Sequence, residues 1–294
     1  MHCLRGVCVL GPGTGAALQR PTHGRQAMSE VSNITAAINE HQAEGVFALF
    51  SGGHDSLCSS HIASHHPDFK GIVHCNTGIG IPETTKFVHD TCEQHGWPLY
   101  EYHARQRNGL PIYDDMCLRL GMPGGPMAHS SQYHVLKNES ISKAVREHCV
   151  GDSPVALVTG IRKQESGRRM HNIISVPFRL EDEKHRLWIN PILEWSALDV
   201  NQYIEANNLT RNLVVDLLHR SGECLCGALA RPEELKEIAY WFPDIAARIY
   251  RLEKACYEKR LPFQWGSKKI ERPPIEQMEL PMCQSCETRW DISL

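Results

Sequence analysis

The sequence predicts an α/β protein with a parallel sheet that carries helices on both faces. Three observations predict this fold class. Short apolar runs alternate with helix-length segments between residues 45 and 160, a glycine pair follows the first run, and the pattern turns mostly helical from about Ser196. Strands separated by helix-length segments require right-handed crossover connections, and such connections build a parallel sheet.

Four apolar runs are predicted as the strands of this sheet. The first, second and fourth are apolar enough to be buried on both faces, as central parallel strands are. In chain order the runs are "GVFALF" (45–50), "GIVHCN" (71–76), "PLYEYHA" (98–104) and "PVALVTG" (154–160). The segments between them are predicted as helices: "LCSSHIASHH", "PETTKFVHDTCEQHG" and "SQYHVLKNESISKAVREHC".

The region after the predicted sheet is expected to be helical. Ser196 is placed to cap a helix, because a serine oxygen can accept hydrogen bonds from the first free amides. Pro232 suits the first turn of a later helix, and Pro243 is expected to separate that helix from the next. Proline lacks the amide hydrogen that a helix interior uses.

Composition limits the classes of protein to consider. The 294 residues are 41% hydrophobic and 22% charged, which is typical of a globular chain with a full core. A net charge of -3 gives no overall attraction to nucleic acid, although a local basic patch is compatible with it. No apolar run approaches the roughly 20 residues that span a bilayer. We therefore expect no membrane association and a cytoplasmic location.

Three regions are expected along the chain. Residues 1–29 contain no Asp or Glu and no unbroken apolar core, and they are expected to form a disordered tail. Translation from Met28, or a transit peptide, would also explain them. Residues 30–210 are expected to form the sheet domain, and residues 211–294 a helical region with four paired cysteines.

The stretch "SGGHDS", which begins at Ser51, lies between the first predicted strand and the first predicted helix. Gly52 and Gly53 permit a tight turn with unobstructed amides, and the helix start adds free N–H donors. Ser51 and Ser56 add hydroxyl donors. The combination predicts a phosphate or pyrophosphate site, although an ordinary turn capped by Asp55 would also fit. The loop lacks the lysine and the spacing of a Walker-type loop.

"SGGHDS" resembles the SGGxDS pyrophosphate loop of the PP-loop ATP pyrophosphatases, which include the phosphoadenosine phosphosulfate (PAPS) reductase family. Three further stretches resemble segments of that family in the same order: "HCNTGIGIPETTKFV" (74–88), "TGIRKQESGRRM" (159–170) and "INPILEWSALDVNQYIEANNL" (189–209). The resemblance runs from about residue 45 to 230. It implies a Rossmann-like sheet of the adenine-nucleotide alpha-hydrolase type and a nucleotide-binding domain that takes ATP with Mg2+.

The resemblance also implies roles for individual residues. Arg162 and Arg169 are expected to bind the far end of a nucleotide, because guanidinium groups match phosphate oxygens in bidentate fashion. A solvated charge run that includes Glu165 is the alternative. The family usually has Asp where this chain has Asn76. The full nucleotide set is Ser51, Gly52, Gly53, His54, Asp55, Ser56, Asn76, Thr77, Gly78, Gly160, Arg162, Glu165, Ser166 and Arg169, with catalytic roles expected for Ser51, Asp55, Arg162 and Arg169.

The role of Asp55 is open at this point. Asp55 is predicted either to help hold Mg2+ or to cap the helix. Asn76, Thr77 and Gly78 are predicted to lie on the adenine and ribose side. His54 fills the variable position of the loop, where relatives often have a lysine.

The complete loop favours ATP cleavage over sulfonucleotide reduction. Reductases of the family usually lack the second glycine and the last serine, and they end in a Glu-Cys-Gly-Leu-His element that this chain lacks. The resemblance thus implies an enzyme of sulfur-related chemistry that cleaves ATP to AMP and pyrophosphate and adenylylates an acceptor. A nucleic acid or a nucleobase is the acceptor suggested by analogy with DNA phosphorothioation enzymes. The residues leave open whether a partner protein or a homodimer is needed.

Two other functions are compatible with the sequence. One is an adenylyl-sulfate or PAPS reductase that produces sulfite, for which Cys58, Cys75 or Cys256 would have to supply the reactive thiol. The other is a non-catalytic subunit that binds a nucleotide and a metal cluster.

Four cysteines occur in two close pairs, "CLC" and "CQSC". Four thiolates in this pattern suit a tetrahedral Zn2+ or a [4Fe-4S] cluster. The chain resembles adenylyl-sulfate reductases and the iron-sulfur ATP pyrophosphatase of DNA phosphorothioation in this respect, so we expect iron-sulfur before zinc, with unligated cysteines as the alternative. The predicted ligands are Cys224, Cys226, Cys283 and Cys286.

Overall fold

A six-stranded sheet lies at the centre of the protein. The structure is a computed structural model that describes residues 23–165 and 176–266. The sheet contains β1 (Val46–Leu49), β2 (Phe69–Asn76), β3 (Leu99–His103), β6 (Val155–Val158), β7 (Phe178–Glu181) and β8 (Arg186–Ile189), and a separate hairpin contains β4 (Gln106–Arg107) and β5 (Leu110–Pro111).

The strand order is β3-β2-β1-β6-β8-β7, and every pair is parallel except β7 with β8. The chain builds outward from β1 through β2 to β3 and then returns to the other side of β1 as β6. The connections after β1 and β6 therefore run in opposite directions. In open α/β sheets the crevice at such a switch point is where ligands bind, outside the carboxyl ends of the strands.

All four predicted strands are confirmed. The strand β6 is buried along its whole length, and the middle of β2 is buried as well, as predicted for central strands. The edge strand β3 is only partly buried, which fits the more polar "LYEYH" segment. All four observed strands begin and end within two residues of the predicted runs.

Helices cover the sheet on both faces, as predicted. They are α1 (His23–His41), α2 (His54–Ser64), α3 (Pro82–His95), α4 (Ile112–Leu120), α5 (Gly125–Tyr133), α6 (Glu139–His148), α7 (Ala197–Ala206), α8 (Leu213–Leu218), α9 (Pro232–Trp241) and α10 (Pro243–Glu258). A single π-helical turn, His134–Asn138, joins α5 to α6. One core packs α1, α2 and α7 on one face of the sheet, and a second packs α6 on the other.

A further core joins the C-terminal helices to α4. Cys117 of α4, Leu225, Ile249 of α10 and Trp265 are all buried in it. The helix α4 precedes residue 210 in the chain, so the predicted sheet domain and the predicted C-terminal region share apolar packing. Their boundary at residue 210 remains a prediction.

The helix α1, which precedes β1, was not predicted from the sequence. The expected tail extended to residue 29, whereas α1 begins at His23. The remaining part of that tail, residues 1–22, lies outside the described residues. Among the described residues, no helix combines the length and the hydropathy needed to cross a membrane.

The predicted helix boundaries in the second half are confirmed. Pro232 is the first residue of α9, and Pro243 begins α10 after a one-residue break at Phe242. Ser196 caps α7 through a reciprocal pair of hydrogen bonds: its Oγ accepts from the Asp199 amide at 3.2 Å, and the Asp199 carboxylate accepts from the Ser196 amide at 2.8 Å.

Replacing Ser196 with alanine should lower the free energy of unfolding by about 1 kcal/mol, because the first turn of α7 loses its side-chain acceptor. Urea denaturation measures the change. Ser131→Ala is the matched control, since Ser131 is exposed and its hydroxyl donates only to the Met127 carbonyl within α5. The control should shift stability by less than about 0.5 kcal/mol, and equal shifts in the two variants would contradict the capping role.

Candidate functional site

A large cavity lies at the switch point of the sheet. Its volume is about 830 Å3, and it opens at the carboxyl ends of β1 and β6. A nucleotide fits a cavity of this size. Seven predicted residues line it: Ser51, Gly53, His54, Asp55, Ser56, Gly160 and Arg162.

The loop between β1 and α2 is a tight turn that hydroxyl groups close. Gly52 has a φ of +74°, and Gly53 is extended and precedes the first residue of α2. The Ser56 hydroxyl donates to the Gly53 carbonyl at 2.9 Å and accepts from the Ser51 amide at 3.3 Å. The loop therefore holds its shape without a ligand and presents the amino end of α2 to the cavity.

A second layer supports this loop from α3 and α8. Asn212 donates to the Gly52 carbonyl at 2.8 Å, and Thr84 donates to the Ser221 carbonyl. A Cβ at Gly52 would lie 2.6 Å from the Thr84 side chain, so only glycine fits this close approach. Residues distant in sequence thus fix the loop backbone.

Gly160 lies directly against the start of α2. A Cβ at this position would lie 2.5 Å from the Asp55 carbonyl carbon and 2.5 Å from the Ser56 amide nitrogen. The loop after β6 can approach the loop after β1 only because residue 160 has no side chain. This contact brings Arg162 beside the loop.

Arg162 and Asp55 form an ion pair at the cavity wall. The Arg162 Nε lies 2.8 Å from the Asp55 carboxylate, and both side chains are mostly buried. Lys163, the next residue, pairs instead with Glu194 outside the cavity. Of the two predicted arginines, Arg162 lies beside the loop, and Arg169 lies outside the described residues.

His54 is a neutral residue in this structure. Burial and the nearby Arg211 guanidinium lower the pKa of His54 to about 4. Its Nδ1 lies 3.3 Å from Arg211, and Asp216 is 3.8 Å from its Nε2. The lysine that relatives often carry here is therefore replaced by an uncharged ring, while Arg211 supplies a cation to the same wall of the cavity.

The buried His54 should make stability depend on pH. The unfolded chain titrates this group near its ordinary value of 6.5, and the folded chain does so at about 4. Between these values the unfolded state binds more protons, so the free energy of unfolding falls as pH drops through this window, by up to about 1.4 kcal/mol per pH unit. His54→Asn should reduce this slope, measured by urea denaturation at a series of pH values.

His61, whose pKa burial also lowers to about 4, should supply slope that remains in the His54 variant. Above pH 7 the variant and the wild-type protein should show parallel pH dependence, because neither state protonates the ring there. An unchanged slope between pH 6.5 and 4 in His54→Asn would show that His54 is accessible to solvent in the folded protein.

The cavity is also lined by Lys137 and Glu223, which the sequence did not single out, and by Cys224, a predicted metal ligand. Lys137 lies on the π-helical turn, and Glu223 and Cys224 lie on the segment that follows α8. Burial alone would lower the pKa of Lys137, but the neighbouring Cys224 and Glu223 outweigh burial and raise it. Lys137 is therefore a charged residue on the cavity, and the unusual helical turn that positions it is typical of functional sites.

Glu223 is a carboxyl group buried between the loops of the sheet. Its Oε1 accepts from the Thr77 amide at 2.9 Å, and its Oε2 lies 3.5 Å from the Nε2 of His74, which is fully buried. Burial raises the pKa of Glu223. This contact anchors the segment that carries the first cysteine pair to the end of β2.

Asn76, Thr77 and Gly78 do not reach the cavity. Asn76 donates to Glu101 at 2.7 Å, its Oδ1 accepts from the Gly78 amide, and the buried Thr77 pairs with Glu223. These three residues are not among those that line this cavity, and their contact with a nucleotide remains a prediction. The chain reaches the cavity from β2 through residues just before them, Val73 and Cys75.

Four predicted residues and one side chain cannot be placed. Ser166, Arg169, Cys283 and Cys286 lie outside the described residues, and only the backbone of Glu165 is described. Their expected roles remain predictions.

The first cysteine pair has the chemistry of a metal-binding pair. A hydrogen bond from the Cys226 thiol, together with Lys137, lowers the pKa of Cys224 to about 6, and the same hydrogen bond and burial raise that of Cys226. Two neighbouring thiols, of which Cys224 is biased toward the thiolate, suit a thiolate-bound metal. Within residues 23–165 and 176–266, no group of three or more His, Cys, Asp and Glu side chains is arranged to hold a metal ion.

The fold and the cavity define a Rossmann-like α/β protein of the nucleotide-binding class. The chain belongs to the phosphoadenosine phosphosulfate reductase domain family, whose model matches residues 45–221. This is a family of enzymes, and it confirms the resemblance predicted from the four motifs.

Two curated relatives are similar over the same region. A phosphoadenosine phosphosulfate reductase from Emericella nidulans is 25% identical over 163 residues, which cover 55% of this chain and 50% of that protein. A phosphoadenosine 5'-phosphosulfate reductase from Xanthomonas axonopodis pv. citri is 26% identical over 172 residues, covering 58% and 66% respectively. The chain thus spans about half to two thirds of the length of these relatives.

Solved structures with a related fold include a PAPS reductase from Candida auris in a phosphate complex, with 17% identity and a TM-score of 0.48 over 68% of this chain and 93% of that one. The U34-tRNA thiolase NcsA from Methanococcus maripaludis with its [4Fe-4S] cluster is 16% identical with a TM-score of 0.44, over 79% and 74% of the chains.

Proposed function

We propose that this protein binds ATP with Mg2+ in the 830 Å3 cavity, cleaves it between the α and β phosphates, and passes the adenylyl group to an acceptor. The acceptor nucleophile forms a bond to the α-phosphorus and releases its proton to solvent. The bond from the α-phosphorus to the bridging oxygen breaks, and pyrophosphate leaves with the electron pair. A nucleic acid or a nucleobase in sulfur-related chemistry is the proposed acceptor.

The observation that carries this proposal is the complete loop from Ser51 to Ser56 at the switch point of the sheet. Both glycines and both serines are present, and the loop is closed by its own hydrogen bonds and supported by Asn212. Pyrophosphate needs several donors at one place, and the free amides at the start of α2 supply them. A sulfonucleotide reductase has no pyrophosphate to hold.

The residues around the loop suit charge stabilisation more than proton transfer. Arg162 and Arg211 line the cavity on the loop side, and Lys137 lines the opposite wall. Preorganised cations and amides lower the barrier of phosphoryl chemistry by matching the charge that develops on the leaving group. His54 stays neutral at pH 7, so it would act as a hydrogen-bond donor or acceptor and not as a charge.

Mg2+ and a metal cluster are part of the proposal. Mg2+ would neutralise charge on the triphosphate, and Asp55 is the loop carboxylate on the cavity that could hold it once Arg162 turns to phosphate. A [4Fe-4S] cluster or Zn2+ would use Cys224 and Cys226 with Cys283 and Cys286. Cys224 also lines the cavity, so a metal bound there would lie close to the nucleotide.

A reductase function has one specific observation in its favour. Cys224 faces the cavity and carries the thiol whose pKa its neighbours lower to about 6, and the curated relatives are named as PAPS reductases. The thiols first considered for this role fit it less well. Cys58 and Cys256 are fully buried away from the cavity, and burial raises the pKa of Cys75 to about 12.

ATP labelled in the α and γ phosphates separates the functions. We expect the α label in AMP or in an adenylylated acceptor, and the γ label in pyrophosphate. Sulfite produced from adenylyl sulfate or PAPS with thioredoxin would replace the proposal with reduction. Nucleotide binding without any product, with nucleic acid and nucleobase acceptors supplied, would identify a binding subunit.

The double variant Ser51→Ala with Asp55→Ala is the control for this assay. It removes one loop hydroxyl and the proposed Mg2+ carboxylate, so it should lose ATP turnover. If ATP binding and turnover are unchanged in this variant, the loop is not the phosphate site.

A further inference from the structure

A second cavity of about 370 Å3 adjoins the nucleotide cavity. The two cavities share three residues, Tyr133, Ile161 and Trp188. Its floor is the ribbon formed by β7 and β8, and one wall is the segment that joins α5 to α6 through the π-helical turn. The second cavity therefore directly adjoins the proposed ATP site through these shared side chains.

The ribbon has one apolar face and one polar face because side chains alternate along a strand. Phe178, Leu180, Leu187 and Ile189 pack toward the core on one face. The antiparallel register pairs Arg179 with Trp188 and Glu181 with Arg186, so these four side chains share the other face. That face carries charged groups and an indole into the second cavity.

Among the described residues that line this cavity, cations outnumber anions. Arg179, Lys184 and Arg186 surround one carboxylate, Glu181, which pairs with all three. Arg179 is half-buried and Lys184 is exposed, so both can turn to a ligand. The surplus positive charge indicates an anionic ligand.

Arg186 is a buried charged residue in the lining of this cavity. It is 2% exposed, donates to Asn138 at 2.8 Å and also to Ser142, and its Nε has no hydrogen-bond partner among the described residues. A buried guanidinium held in place by two neighbouring side chains adds a fixed positive charge to the cavity wall, which favours an anionic ligand. The guanidinium carbon of Arg186 lies 6.0 Å from the Trp188 ring centre. This cation–π contact holds the indole against the cavity floor.

Aromatic rings line the boundary between the two cavities. Trp188 is partly buried, and Tyr133 is 43% exposed. Ring faces of this kind stack on nucleobases with little sequence preference, at about 1–3 kcal/mol per base. Asn190, which could read a base edge, is engaged by Thr159 and by the Val176 carbonyl.

We propose that the second cavity binds a nucleoside monophosphate unit, with its base against Trp188 and Tyr133 and its phosphate on Arg179 and Lys184. The unit occupies the position of the acceptor, and its role as acceptor rests on the proposed function. The binding of the unit itself does not depend on that function. The unit is either a free mononucleotide or one nucleotide of a single strand, with little preference among the bases.

Calorimetric titration of the full chain tests the proposal. The first cavity is filled with the non-hydrolysable analogue α,β-methylene-ATP, and the loaded protein is titrated with CMP, GMP, cytidine and guanosine. Each monophosphate should bind about 10-fold or more tightly than its nucleoside, because the phosphate adds charge-assisted contacts. CMP and GMP should differ little.

The double variant Arg179→Gln with Lys184→Gln should raise the Kd of CMP by about 10-fold or more, while the Kd of the analogue changes less than about 2-fold. The matched control is Lys86→Gln with Lys254→Gln, because both lysines are exposed, pair with acidic residues and lie outside both cavities. It should leave both constants unchanged. No binding of CMP to the loaded protein, or equal CMP affinity in both double variants, would overturn the inference.

Two further titrations distinguish the source of the nucleotide unit and separate the two proposals. A short single-stranded oligocytidylate that binds more tightly than CMP identifies a strand as the source of the unit, and weaker binding identifies the free mononucleotide. If the ATP analogue itself does not bind, the proposed function fails. CMP affinity that still depends on Arg179 and Lys184 in the unloaded protein would then support the second site alone.

Discussion

Replacing Arg162 with alanine is expected to lower the rate of pyrophosphate release about 10²–10³-fold, the usual cost of removing one preorganised group from a charged transition state. Arg162 is mostly buried and lies 2.8 Å from Asp55 at the cavity wall. In the proposed complex with ATP and Mg2+, the phosphates and the metal would compete for these two partners. The guanidinium would then be free to contact the phosphates as negative charge develops on the leaving group.

The rate is measured as labelled pyrophosphate released from ATP at saturating substrate. Arg162→Lys keeps the charge but loses the bidentate geometry, so it should retain an intermediate rate. Lys163→Ala is the matched control, because Lys163 is the neighbouring cation and pairs with Glu194 outside the cavity. A rate that falls equally in the Lys163 and Arg162 variants would indicate a general charge effect and contradict a specific role for Arg162.

Replacing Gly160 with alanine is expected to lower the rate of ATP cleavage about 100-fold, as a displacement of roughly 1 Å in a positioned site does, and to weaken ATP binding about 10-fold or more. The added methyl group would lie 2.5 Å from backbone atoms of Asp55 and Ser56, and backbone atoms cannot rotate away. The loop after β1 must therefore move. The same overpacking should lower the free energy of unfolding by about 1–3 kcal/mol.

Gly78→Ala is the matched control for this variant. Gly78 has a φ of +69° and open space around it, so alanine there costs about 1–2 kcal/mol in backbone strain without a clash. It lies outside the cavity, and ATP affinity should be unchanged. Calorimetry with α,β-methylene-ATP measures both variants. Normal affinity in Gly160→Ala would show that the two loops tolerate separation, and lost affinity in Gly78→Ala would restore the predicted role of the loop after β2.

Local signals in the sequence predicted the elements that build the site. The apolar runs are long enough to predict β1, β2, β3 and β6, and Ser196, Pro232 and Pro243 mark helix starts through their own backbone chemistry. The glycines and hydroxyls of the loop are also local, so Ser51 to Ser56 could be predicted as an anion site from the residues alone.

Contacts between distant residues could not be predicted in this way. Thr77 was expected on the nucleotide side, but its partner is Glu223, 146 residues later in the chain. Lys137 carries no motif, and its place on the cavity depends on a single π-helical turn. The β7–β8 ribbon was missed because four-residue strands with Arg179, Glu181 and Arg186 lack a continuous apolar run.

The paired cysteines illustrate both cases. Their spacing predicted a metal-binding pair, and the structure adds that Cys224 lies on the cavity beside Lys137. The effect of Cys226 on the Cys224 thiol depends on a hydrogen bond between their side chains, which spacing does not specify. The proposed partners Cys283 and Cys286 remain predictions from the sequence.

Binding of inorganic pyrophosphate is the measurement that tests the central claim most directly, because the claim is that the loop from Ser51 to Ser56 holds the pyrophosphate end of ATP. Calorimetric titration of the full chain with pyrophosphate, alone and against α,β-methylene-ATP, should show one site for which the two ligands compete, and Gly160→Ala should lose both. If adenylyl sulfate binds the cavity while pyrophosphate neither binds nor competes, the loop does not serve ATP cleavage and the account is contradicted.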